Sequence, residues 1–155
     1  MKSKTILVVF ATLVVAVGLW AQQDPLVGTW KLNLAKSKFS PGPAPRSDMI
    51  KYEAQGDALK VTADAVNADG TTTHLQYTAR PDGKEYPVTG DPDRDSTTMK
   101  RIDANTTEVI GKKAGKPSVT FRRAVSKDGK MLTITGTGTN SKGQKINDVS
   151  VYDRQ

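Results

Sequence analysis

A cation standing among apolar neighbours is the most pointed chemical feature of this chain. On an extended backbone Arg123 shares a face with Val119, Phe121 and Val125, while Arg122 falls on the opposite face. A guanidinium taken out of water has to be answered by a negative partner. An inward Arg123 therefore implies either a bound anion or an internal acid, and an outward-facing arginine is the remaining alternative. Near the end of the chain Asp148, Ser150 and Tyr152 alternate on one face, and Asp148 is the acid in position to answer Arg123. Val149 and Val151 occupy the other face, and hydropathy alone would turn those two inward instead.

Other reactive groups are sparse. His74 is the only histidine and sits on a polar face with Gln76 and Thr78, which excludes a two-histidine metal site or a histidine-based triad within one chain. There is no cysteine, hence no thiol nucleophile and no disulfide. Asp91, Asp93 and Asp95 alternate in the manner of a calcium loop. Such a loop needs glycine at its sixth position and glutamate at its twelfth, where Ser96 and Ile102 stand, so a polar hairpin loop is expected and no metal. With no phosphate-cradling glycine loop and no nucleophile–base pair, neither a cofactor nor catalysis is expected.

Strands must position these groups. Gly56, Gly70, Gly83, Gly90, Gly115, Gly129 and Gly143 each sit in a short turn signal, most of them about 13–15 residues apart, the length of one strand and one hairpin turn. Between the turns apolar and polar residues alternate: Leu26 to Leu34 around Trp30, then Ile50–Tyr52–Ala54, Leu59–Val61–Ala63–Ala65 and Thr73–Leu75–Tyr77–Ala79. A short fifth strand at Tyr86 and Val88, weakened by Pro87, suits an edge or a bulge. Segments 97–102, 107–112, 119–125, 131–139 and 145–154 complete a count of ten, with no amphipathic helix of useful length. Gly136 and Gly138 leave room on the ninth segment. Three alternate prolines in Ser40–Pro45 forbid both helix and ladder, leaving a loop with at most a helical turn near Leu34–Phe39 and with Phe39 tucked onto the barrel end. Ten consecutive antiparallel strands hide their edges best by closing, so the expected fold is all-β, a single up-and-down barrel, with a two-sheet sandwich as the alternative. Tyr52, Tyr77 and Tyr86 then either line its interior or serve as ordinary strand residues.

Lys2 and Lys4, the uncharged apolar run Ile6–Val17, and small residues at Ala16, Gly18 and Ala21 form a signal-peptide pattern, with cleavage after Ala21 or Gly18. Residues 22–155 then make one domain, expected to be a periplasmic or secreted monomer with no membrane span after cleavage. The chain carries 23 Lys and Arg against 16 Asp and Glu, a formal charge of +7, but no run of five or more basic residues. Nucleic acid is not an expected partner.

Gly28-Thr-Trp-Lys-Leu32 at the start and Val149-Ser-Val-Tyr-Asp-Arg154 at the finish resemble the fatty-acid-binding protein and lipocalin superfamily, the calycins. The chain is also similar to a group of exported bacterial proteins of unknown role that share a Lys-Phe-Ser-Pro-Gly-Pro loop, here Lys38–Pro43. The superfamily resemblance implies that Trp30 seals one barrel end beneath a basic residue of the last strand, Arg154 or Lys145. It also implies a ligand carboxylate held by two arginines and a tyrosine. Tyr152 matches that tyrosine, Ser150 replaces one arginine, and the other falls on the strand of Arg122 and Arg123. The family's two-helix lid has no counterpart here, and the Pro-rich loop fills its place. The implied site is Arg123, Tyr152, Ser150 and Tyr77 around a small apolar or amphipathic molecule. The alternative is a structural or inhibitor-like envelope protein whose barrel is filled by its own side chains.

Overall fold

A computed structural model describes residues 23–155; the signal segment read at residues 1–21 lies outside them. The chain runs β1 (Gly28–Leu32), one turn of 3-10 helix (Leu34–Lys36), β2 (Ser47–Gln55), β3 (Ala58–Val66), β4 (Thr72–Ala79) and β5 (Asp82–Pro87). It continues through β6 (Ser96–Arg101), β7 (Thr106–Lys113), β8 (Lys116–Val125), β9 (Met131–Thr139) and β10 (Lys145–Arg154). All pairings are antiparallel, in the order β4-β3-β2-β1-β10-β9-β8-β7-β6-β5. The two chain ends meet through Trp30↔Arg154, Lys31↔Asp153 and Leu32↔Tyr152. Between β4 and β5 the sheet is joined by one bridge, in which Gln76 and Thr89 exchange both backbone hydrogen bonds at 3.0 Å. The result is a ten-stranded up-and-down barrel with a seam, rather than a sandwich.

The fifth strand differs from expectation. It begins at Asp82, so the Pro81-Asp82-Gly83 turn signal becomes the strand's opening, and the register shifts between Asp82 and Glu85. Pro87, which has no N–H to offer a ladder, is its last residue.

One end of the barrel is solid. Trp30 is 0% exposed, donates its indole N–H to the Leu26 carbonyl at 2.8 Å, and lies under the Arg154 guanidinium at 4.1 Å. Arg154 in turn donates to the carbonyls of Gly129, Val27 and Pro25, tying the β8–β9 turn to the chain entrance. The basic residue over the tryptophan is thus Arg154 and not Lys145. This clamp also explains Gly28, which has φ +138° and no room for a side chain: a Cβ there would lie 2.5 Å from Arg154 Nη1. Leu132 and Val125, in register with one another, pack in the same end.

Moving two residues at a time up each strand leaves this plug. Arg123 follows Val125, Ile134 follows Leu132, and Ser150 and Asp148 follow Tyr152. The inward rows above the plug therefore enclose space rather than core.

Candidate functional site

That space is a cavity of about 200 Å³ with an apolar wall that includes Ile50, Val61, Leu75, Phe121 and Ile134. It meets a wider vestibule of about 680 Å³ under the Pro-rich loop, and Asp48 and Asp148 line both. Gly136 is part of the cavity lining, but a Cβ there would come within 3.2 Å of the Phe121 ring, so the ring uses the room the glycine leaves. Gly138 serves close strand approach instead, since a Cβ there would collide with the Ser118 carbonyl.

Arg123 sits on the floor of the cavity, 4% exposed, while Arg122 faces solvent. Register places Arg123 beside Ile134, and Ile134 beside Ser150, so Arg123 and Ser150 share one row of the wall. On the opposite side Tyr52, Val61 and Tyr77 form another row. The Arg123 guanidinium lies 5.5 Å from the Tyr52 ring centre and 5.9 Å from that of Tyr77, a cation held between two aromatic faces. Its Nε and Nη1 are buried without a hydrogen-bond partner among the described residues, as are the hydroxyls of Tyr52 and Tyr77. Burial pushes the Tyr52 phenol up, with Arg123 opposing it, so this hydroxyl stays neutral.

The expected internal acid is elsewhere. Asp148 spends Oδ1 on the Ser40 N–H at 2.8 Å, anchoring the Pro-rich loop, and makes no ion pair with Arg123. Burial raises its carboxyl, and the Ser40 N–H partly offsets this. The last strand points Ser150 and Tyr152 inward, and yet Val151 is also buried. The segment 33–40 runs alongside it beyond the end of β1: Asn33 N–H donates to the Val151 carbonyl, and Lys38 pairs with Val149. The family-like parity holds for Ser150 and Tyr152, while on the other face Val151 is buried and Val149 half-buried.

Tyr152 donates its hydroxyl to Asp48 Oδ2 at 2.7 Å across the end of the short β1. Burial raises the Asp48 carboxyl above its ordinary 3.8, and the Tyr152 hydrogen bond partly offsets this. Because the folded value is the higher one, ionised Asp48 weakens the fold at neutral pH. That penalty fades as pH falls through the folded value towards 3.8. Tyr152→Phe removes the compensating donor and is expected to cost about 1–3 kcal/mol at neutral pH. The loss should shrink in acid, where Asp48 is protonated; urea denaturation at the two pH values measures both, and an equal loss at each would show that Tyr152 does not stabilise the charge.

Arg94 was not anticipated. The β5–β6 loop folds inward and buries it to 4% exposure, paired with Asp91 at 2.8 Å and stacked 4.8 Å from the Phe121 ring centre and 5.5 Å from that of Tyr77. The Asp91–Asp95 loop works as internal scaffolding: Asp91 takes Arg94 and the Asp93 N–H, Asp93 takes the Ser141 N–H, and Asp95 takes the Ala114 N–H. Those carboxylates turn to different elements and do not converge. Tyr86 leaves the cavity group, donating to Asp82 at 2.8 Å on the outside. His74 is exposed and 2.6 Å from Asp64. Phe39 packs against the core as the loop's anchor.

Among solved structures the chain is similar to zebrafish ileal bile acid-binding protein complexed with cholic acid, at 12% identity and a TM-score of 0.50, over 84% of this chain and 99% of that one. This chain has the calycin fold. The siderocalin Ex-FABP, described as functioning through dual ligand specificities, also aligns, at 13% identity and a TM-score of 0.40, over 84% of this chain and 74% of that one. No family model and no curated protein matches the sequence. Similarity at this level speaks for the barrel, and the case for any ligand rests on the cavity.

Proposed function

We propose that this chain is an exported barrel that binds a small amphipathic molecule, seating an oxyanion of it on Arg123 and its apolar body against the cavity wall. The supporting observation is the Arg123 guanidinium, 4% exposed, with two unpartnered nitrogens and no ion pair among the described residues. An arginine so placed is a strong and directional donor to a carboxylate. Tyr52 and Tyr77 add hydroxyl donors at the same depth, and Ser150 lies in the same row. The cholic acid complex of the bile acid-binding protein is compatible with such a site, and it does not identify the molecule held here.

Binding is favoured over catalysis because a buried guanidinium and phenols face an apolar space, while the one histidine lies outside on the barrel surface. Export rests on the segment Lys2–Ala21. The filled-barrel reading draws on one observation, that the inner cavity is smaller than the roughly 300–1,000 Å³ usual for small-molecule sites. The vestibule beyond Asp48 supplies the remaining volume.

Native mass spectrometry of protein purified from its own host separates the two. The expected result is a stoichiometric small anion that survives desalting and is released on denaturation. Protein that is repeatedly empty, and that also gives no heat with alkyl and aryl carboxylates in calorimetry, would overturn the binding function.

A further inference from the structure

We infer that the ligand is bipolar, carrying an ammonium group at the end opposite its carboxylate, held at the cavity rim by Asp48 and Asp148. The inference rests on the binding function proposed above and specifies the chemistry of the molecule bound.

The reasoning begins with the charges that line the cavity. Arg94 is cancelled by Asp91 at 2.8 Å, which leaves Arg123 facing Asp48 and Asp148. These three do not neutralise one another within the chain. Asp148 lies in the row above Arg123, since it pairs with Gly136 and Gly136 with Phe121, whereas Arg123 shares its row with Ser150. One inward row is about 7 Å along a strand, and the two strand steps from β8 to β10 add about 10 Å across. Asp48 and Asp148 line both the cavity and the vestibule, whereas Arg123 lines the cavity alone, so the carboxylates stand at the mouth and the guanidinium lies deeper.

Both ends hold unanswered atoms. Deeper in, these are Arg123 Nε and Nη1, the hydroxyls of Tyr52 and Tyr77, and Arg94 Nη1, whose guanidinium is otherwise paired with Asp91. At the rim Asp48 Oδ2 is occupied by Tyr152, but Asp48 Oδ1 is buried and has no partner among the described residues. Asp148 lines the same mouth, with one oxygen on the Ser40 N–H. A simple alkanoate would satisfy the floor and drag an apolar tail past two carboxylates, stripping them of water with nothing in exchange. A simple alkylammonium would do the converse to Arg123. An ω-amino carboxylate with a short apolar spacer answers both ends together.

Isothermal titration calorimetry with a homologous series of ω-amino carboxylates, each set against the alkanoate of equal length, tests this. At the length that spans the cavity the amino compound is expected to bind at least about tenfold more tightly, the size of one charge-assisted hydrogen bond. Asp48→Asn is expected to bring that ratio close to one while leaving the alkanoate no weaker; if that variant fails to fold, Asp148→Asn is read in its place. Alkanoates that bind as well as their amino partners at every length, or a ratio untouched by the rim variant, would overturn the bipolar ligand and leave the anion site standing. Failure of both series to bind removes the anion site as well.

Discussion

Trp30→Ala is expected to lower the unfolding free energy by about 4 kcal/mol. The ring is wholly buried, so its removal forfeits both its transfer from water and its packing, and the surrounding β-strands have little freedom to collapse into the gap. Two further terms add in the same direction. The Leu26 carbonyl loses the indole donor, and Arg154 loses the face on which it lies 4.1 Å away. The second term reaches beyond the residue, because Arg154 holds the β8–β9 turn and the residues before β1 through three carbonyls, and the β1–β10 pairing that closes the barrel is only three residue pairs long. Against a typical total of about 5–15 kcal/mol, such a loss removes a large share of the stability. Urea denaturation followed by circular dichroism should show the midpoint fall with little change in slope. A loss under about 1.5 kcal/mol would mean that the end plug stands without its tryptophan.

The strand pattern makes part of this plug legible in the sequence. Alternation puts Trp30 on the apolar face of its segment; its place beneath a basic residue of the last strand is what the calycin resemblance implies, and the Trp30↔Arg154 register agrees with it. Apolar neighbours at a period of two favour Arg123 over Arg122 as the inward residue but leave the choice open, and the structure decides it for Arg123. Alternation is ambiguous in the last strand. Val151 is buried and Val149 half-buried although Ser150 and Tyr152 face the cavity, and the backbone of both valines bonds to the segment 33–40 running beside β10, a contact between residues more than a hundred positions apart that no local pattern encodes.

The missing half of the cavity chemistry divides in the same way. Asp48 carried a usable signal: it shares the inward parity of Ile50 and Tyr52, and the strand simply starts earlier than its apolar residues do. Arg94 carried none. Loop residues have no periodicity, and its inward turn depends on the Asp91 pair and on the Phe121 and Tyr77 rings supplied by distant strands. The pairing of Arg123 with Asp148 failed for a related reason. Both face inward, as parity requires, but register sets them in different rows, and register is fixed by turns and bulges rather than by hydropathy.

Arg123→Met should stabilise the protein and weaken its binding of anions, two changes of opposite sign from one substitution. Methionine keeps much of the arginine's length and packs against Tyr52 and Tyr77, but brings no charge that must be kept from water. Replacing buried ionic groups by apolar ones is commonly neutral or favourable by up to about 4 kcal/mol, and here the guanidinium has no carboxylate to offset its desolvation, only two aromatic faces. A gain of about 1–3 kcal/mol in urea denaturation is the expected result without ligand. With a carboxylate ligand the order reverses: losing the charge-assisted hydrogen bonds should weaken binding by about ten- to a hundredfold in calorimetry. The opposition of the two signs is what identifies a ligand anchor, since a residue retained for function is free to be a poor choice for stability. A structural cation would behave in the other way. If Arg123→Met destabilises the barrel and leaves carboxylate affinity unchanged, the guanidinium belongs to the core, and the floor of the cavity holds no anion.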